Sequence, residues 1–265
     1  MLKLLLAGGV LMAVAGIVAA QSLPTNIPAA SVRLGAGYLK PGEGPNSGTL
    51  LPPPPANGSK ALARDKAGEI RALKLQGTAR FAQAKVDADI FVPNAIAVMS
   101  CAAGRVLGPK ETPRTDALLR KVGSDFGLSS YPAKGIYKRP RPFVGNGQPV
   151  CTPQMEGVLR SDGSYPSGHA AIGYGWGMVL SDLLPKRRSA LLKRGASFAD
   201  SRRICNVHFL SDIAAGETLA NAVVDKLRAN AVYQADVAAA KAELRALAPI
   251  QPDCVAEKAA LKLTR

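Results

Sequence analysis

Apolar residues in this chain recur at intervals of three, four and seven, and no alternating pattern lasts more than a few residues. Side chains at those intervals share one face of a helix, whereas a half-buried strand needs a period of two. The pattern argues against a sheet-based core. Thr115, Leu118, Leu119, Val122 and Phe126 form one stripe, and Leu191, Gly195, Phe198, Arg202 and Cys205 a second. Ile213, Gly216, Ala220, Val223, Val224 and Leu227 make a third, and Tyr233, Val237, Ala240 and Leu244 the last. The Ala- and Val-rich run 94–103 reads as another helix. Ser59 stands where an N-cap belongs, and Ile70, Leu73, Gly77 and Phe81 predict one helix continuing to about Lys85. Hydrophobic residues fill 47% of 265 positions, which is enough for a real core and too many for disorder. Ala and Leu supply that fraction rather than β-branched residues, which disfavours a β-sandwich. The expectation is an all-α fold with a single compact helical domain over 59–265.

The first 58 residues differ in kind. Met1 to Ala20 carries one Lys and then apolar and small residues, ending in Val18-Ala19-Ala20 before Gln21. That is the make-up of a secretory signal peptide over 1–20, so a periplasmic or secreted protein is expected after cleavage near Ala20. Residues 21–58 are rich in Pro, Gly, Asn and Ser and culminate in Leu51-Pro-Pro-Pro-Pro-Ala56. Proline lacks the N–H of a helix and restricts its predecessor, so an extended arm is predicted. Beyond the leader no segment reaches the ~18 apolar residues of a membrane span. The nearest, Ala170 to Leu184, is interrupted by polar and glycine positions and reads as a buried helix. Cysteines stand at 101, 151, 205 and 254. An even count in an exported chain favours disulfides, the spacing fits no CxxC metal clamp, and three connectivities stay open. The net charge of +15 suits anionic partners. With 5% aromatic residues and one Trp, nucleic-acid binding is not expected as a primary role.

Three connecting stretches carry the chemistry. In Lys134-Gly-Ile-Tyr-Lys-Arg-Pro-Arg141-Pro142, two prolines fix an extended backbone in which cations crowd. Within and near it, Lys110, Lys138 and Arg139 read as solvated surface. In Gly163-Ser-Tyr-Pro-Ser167-Gly168-His169 a turn enters a helix N-terminus, whose free N–H groups favour an anion. In the third, Ser201, Cys205, His208 and Asp212 would share one face if helical geometry held throughout. An Asp four residues after a His can then fix the ring's tautomer. The chain has two histidines in all, and both lie in these stretches.

Lys134-x6-Arg141-Pro142, then Pro166-Ser-Gly-His169, then Ser201-Arg202-x5-His208-x3-Asp212 resembles the three-part signature of the type 2 phosphatidic acid phosphatase and vanadium haloperoxidase superfamily. The flanking residues, with the proline run upstream and Ser201-Arg-Arg-Ile-Cys-Asn-Val-His208, are similar to the class A bacterial nonspecific acid phosphatases. The similarity runs from about Leu51 to about Leu247. It implies a mostly helical, exported enzyme that hydrolyses phosphate monoesters with broad specificity and needs no metal or other cofactor. Lys134, Arg141 and Arg202 would hold the phosphate, with the Ser167 hydroxyl and the Gly168 N–H. His208 would be the nucleophile forming a phosphohistidine, Asp212 its orienting partner, and His169 the acid and then the base. Activity would peak at acidic to near-neutral pH.

The same resemblance pairs Cys151 with Cys205, where relatives often have cysteine, and leaves Cys101 with Cys254. It leaves room for a homo-oligomer. Two positions depart from the family pattern: Ala170 replaces the usual Thr, and Phe209 the common Trp. A lipid phosphate or pyrophosphate phosphatase shares the signature but surrounds it with membrane spans. A vanadium haloperoxidase usually has a much longer chain. A non-catalytic periplasmic anion-binding protein would need the cations but neither histidine.

Overall fold

A computed structural model describes residues 35–264; the expected leader, 1–20, and the first part of the arm, 21–34, lie outside the described residues. Among the described residues there are thirteen α-helices and no strand. In chain order they are α1 (Ser47–Leu50), α2 (Lys60–Leu73), α3 (Ala79–Ala88), α4 (Ser100–Ala103), α5 (Pro113–Leu128), α6 (Tyr131–Tyr137) and α7 (Pro142–Asn146). They continue as α8 (Glu156–Ser161), α9 (Gly168–Leu183), α10 (Arg188–Ile204), α11 (Leu210–Arg228), α12 (Ala231–Ala246) and α13 (Val255–Leu261). None is long and apolar enough to cross a membrane among the described residues.

The apolar stripes become the core. Thr115, Leu118, Leu119, Val122 and Phe126 on α5 are all fully buried. They face α9, which occupies the centre and packs along α10, α11 and α5. Each Leu or Phe buried in this way contributes about 1.5–3 kcal/mol. Trp176 of α9 stands edge-on to Phe198 of α10 and donates its indole N–H to the Leu119 carbonyl at 2.8 Å. α11 approaches the start of α9 closely at Gly216. A Cβ there would lie 2.5 Å from the Ser167 carbonyl oxygen and 3.0 Å from the Ala170 Cβ.

Two sequence expectations need correction. The helix expected from Ser59 to about Lys85 is two helices. Ser59 does cap α2, its hydroxyl accepting the Leu62 N–H at 3.1 Å. Gly77 then takes φ +77°, and Thr78 caps α3. A left-handed residue cannot continue a helix, so the apparent stripe bridges a turn. Ile70 is exposed, and α2 instead buries Asp65, Gly68, Glu69 and Ala72. The second correction concerns the arm, which is not extended throughout because α1 forms just before the prolines, capped by Asn46.

The described part of the arm is strapped to the domain. The carboxylate of Asp125 accepts the Tyr38 and Leu39 N–H groups at 2.9 and 3.0 Å. Ser47 accepts the Ala133 N–H of α6 at 3.1 Å, and Tyr165 donates its hydroxyl to the Pro52 carbonyl at 2.7 Å. Cys101 is joined to Cys254 and Cys151 to Cys205, the pairing the resemblance implied. The second bond sits in an apolar cluster with Phe143, Val150, Ile204 and Val207.

Candidate active site

Short connections gather the signature residues from five helices. Lys134 comes from α6, and Arg141 from the extended residues ahead of α7. Ser167 caps α9, with Gly168 and His169 in its first turn. Arg202 lies in the last turn of α10, His208 in the connection that follows, and Asp212 in the first turn of α11. The condition for Ser201, Cys205, His208 and Asp212 to share one face, helical geometry throughout, is not met. α10 ends at Ile204, and Asn206 reverses the chain with φ +61°. Asn suits that left-handed position. With the backbone broken there, the Arg202 charge still acts on the His208 ring.

The three cations are 6%, 3% and 2% exposed for Lys134, Arg141 and Arg202, which is unusual enough to demand partners. Lys134 Nζ donates to Asp162 Oδ2 at 3.2 Å and to the Gly163 carbonyl. Arg141 donates through Nε to the Leu159 and Asp162 carbonyls, both at 2.9 Å, and through Nη2 to Asp162 Oδ2 at 2.9 Å. Arg202 is different, because its buried Nε and Nη1 have no hydrogen-bond partner. Burial, then the neighbouring Arg141 charge, lowers Arg202 to about 9 against the pull of Asp87. Burial likewise takes Lys134 down to about 8, opposed by Asp162. Mutually repelling buried cations, one of them with orphaned nitrogens, are what an anion would stabilise. The Ser167 hydroxyl oxygen accepts the Ala170 N–H at 3.2 Å, so its own proton is available for donation at this same helix N-terminus.

His208 meets the cradle directly. Its Nε2 lies 2.9 Å from Arg141 Nη1. A guanidinium can only donate, so Nε2 is the acceptor and the neutral ring carries its proton on Nδ1. Burial, followed by the charges of Arg141, Lys134 and Arg202, holds the ring well below the usual imidazole range. Burial and these charges favour the neutral ring, whose Nε2 lone pair accepts from Arg141. Nδ1 lies 3.5 Å from Asp212 Oδ2, too far for a strong hydrogen bond. His169 is also held well below the imidazole range, by burial first and then by Arg202, His208 and Arg141. Its Nε2 faces the Ala88 carbonyl at 3.3 Å.

Three residues outside the expected set belong to this site. Arg139, taken from sequence as solvated, is buried: it donates to Asp212 Oδ1 at 2.5 Å and Asp65 Oδ2 at 2.8 Å, and its guanidinium stacks 4.2 Å from the Phe209 ring centre. It therefore holds Asp212, whose second oxygen accepts the Phe209 N–H at 2.8 Å. A signal was available, because residues two apart on an extended segment face the same way and Arg139 precedes Arg141 by two. Asp65 lies on a helix whose buried face is polar and left no apolar trace. Asp162, just before the Gly163 turn, had nothing to mark it. Lys110 and Lys138 are exposed, as expected.

The PAP2 superfamily model matches residues 122–225, a span containing every signature residue. Over 210 residues the chain is 38% identical to the non-specific acid phosphatase of Salmonella typhi, covering 78% of this chain and 83% of that protein. The chain belongs to the non-specific acid phosphatase family. It is also 36% identical over 211 residues to the Providencia stuartii non-specific acid phosphatase and 34% identical over 198 residues to the acid phosphatase of Zymomonas mobilis. Those alignments cover 79% and 73% of this chain and 85% and 74% of the relatives. The family assignment agrees with the helical architecture.

Proposed function

We propose that this chain is an exported phosphomonoesterase of broad specificity, working without a metal through a phosphohistidine on His208. The observation that carries this reading is the 2.9 Å contact between Arg141 Nη1 and His208 Nε2, which points a nitrogen lone pair into a buried set of cations. Lys134, Arg141, Arg202, the Ser167 hydroxyl and the Gly168 N–H hold the phosphoryl oxygens. Fixed positive charge supplies the electrostatic stabilisation that other phosphatases draw from metal ions.

His208 Nε2 attacks phosphorus, forming a P–N bond as the ester P–O bond breaks and its electron pair leaves with the alcohol oxygen. His169 gives its proton to that oxygen. Ala88 fixes Nε2 of His169 as the N–H nitrogen, which leaves Nδ1 to exchange the proton. The depressed affinity of His169 for a proton is reversed when a phosphate dianion offsets the cations that cause it. Water then attacks phosphorus, His169 takes a proton from it, the P–N bond breaks, and phosphate leaves. Arg139 and Asp212 hold the His208 connection, and Asp212 balances positive charge on the ring.

The test is hydrolysis of p-nitrophenyl phosphate in EDTA, with acid-quenched labelling from a radiolabelled substrate. Wild type is expected to turn over and to trap label. His208→Ala should lose both, with activity down at least about 10⁴-fold. Label persisting in that variant moves the nucleophile elsewhere, and activity lost in EDTA but restored by zinc or magnesium rejects the metal-free scheme.

A further inference from the structure

One carboxylate stands inside the cradle itself. Asp162 is the C-cap of α8, and its backbone is fixed on both sides: its N–H donates to the Val158 carbonyl at 3.2 Å, and its own carbonyl accepts Arg141 Nε at 2.9 Å. From that anchored position a single oxygen, Oδ2, reaches both Lys134 Nζ at 3.2 Å and Arg141 Nη2 at 2.9 Å. Arg202 receives nothing comparable. Asp65 and Asp212 have their own cation, Arg139, which bridges them. Asp162 is thus the carboxylate paired with the phosphate-binding donors.

An enzyme that must bind a phosphate dianion gains affinity from each added cation and loses it to each carboxylate. A carboxylate in this position needs a reason. Asp162 offsets one of the three charges that Lys134, Arg141 and Arg202 present, and Asp212 draws further on Lys134 and Arg141, so the positive excess facing the anion is smaller than the three cations alone would give. The proposed phosphatase reaction also ends with inorganic phosphate in the same cradle, where excess positive charge would retain it. We propose that Asp162 is a specificity-determining residue, a built-in counter-anion that matches the cradle to phosphomonoester dianions and limits its hold on more highly charged phosphates. This inference rests on the phosphatase reading for its substrate and on the Asp162 geometry for its mechanism.

Calorimetric titration of the whole protein with orthophosphate and with pyrophosphate, at pH 6, tests it. Lys134 stays charged there in wild type, because its value is about 8. Asp162→Asn is expected to bind orthophosphate about tenfold tighter and pyrophosphate tighter by roughly a further threefold, while Asp162→Glu stays within about threefold of wild type. If Asp162 only holds Lys134 and Arg141 in place, Asp162→Asn weakens both anions. That result overturns the proposal, as does an equal change for the two anions or no change. Should the Asn variant fail to fold, Asp162→Ser carries the same expectation at the same helix end. Wild type that binds both anions but does not hydrolyse p-nitrophenyl phosphate removes the phosphatase reading and leaves the charge balance to be judged on binding alone.

Discussion

Arg194 and Arg202 lie on one helix, α10, and each is 2% exposed, yet their surroundings are opposite. Arg194 is fully engaged. It contacts Asp87 at 2.5 and 3.3 Å and Glu257 of α13 at 3.1 Å. Arg202 keeps two buried nitrogens without a partner. Between them, Ser201 donates to Asp87 at 2.6 Å and accepts from the buried Arg80 at 3.0 Å. The Ser-Arg pair of the signature is therefore split: Ser201 bonds Asp87 and Arg80, while the Arg202 charge acts on His169 and His208 of the cradle. Burial does not separate a structural arginine from a working one. Carboxylate contact separates these two, although an orphaned nitrogen alone does not mark a working arginine, since the buried Arg80 also keeps a partnerless Nε. A buried charge without its counterpart persists where a ligand supplies one.

Exchanging each arginine for methionine should break this contrast in opposite ways. Arg202→Met is expected to lower kcat/KM by about 10³-fold, as loss of one preorganised transition-state donor does. Its melting temperature should hold or rise, because an uncompensated buried charge is gone. Arg194→Met should lose about 3 kcal/mol in denaturant titration by stranding Asp87 and Glu257. Its kcat/KM, measured where it remains folded, should stay within about threefold of wild type. If both variants lose activity alike, the two arginines are one unit and the contrast fails.

Lys134 gives a smaller, graded version of the same test. Its ammonium is charged below about 8 and neutral above it. Raising the pH through that value removes a cation from the free enzyme, so kcat/KM should decline on the alkaline side. Lys134→Arg, whose guanidinium stays charged throughout, should shift that decline upward by at least about one pH unit. A pH–rate profile for the two proteins decides whether Lys134 is the titrating group.

How much of this was legible depends on which force shapes each part. The stripes on α5, α10, α11 and α12 could be read because burial alone specifies them and repeats with the helix period. Turns were harder to place. Gly77 fits the periodic pattern of its neighbours, and only its positive φ separates α2 from α3. The connection carrying His208 has helical spacing in sequence and a reversed backbone at Asn206 in space. The cradle residues could be read from their motif, but their partners could not. Asp65, Arg139 and Asp162 are placed by hydrogen bonds between segments 20 to 150 positions apart, which leave no period in the sequence.

Gly216 carries the last consequence. The missing methyl lets α11 come to rest against the carbonyl of Ser167, at the point where α9 begins. One helix brings His169 and the other brings Asp212, so the spacing between the two halves of the chemistry is set by a backbone contact one turn from Asp212 and beside the start of the His169 helix. A single hydrogen atom on Gly216 serves as the shim. The tolerance of the whole site is finer than a carbon atom, and it is held by a residue with no chemistry of its own.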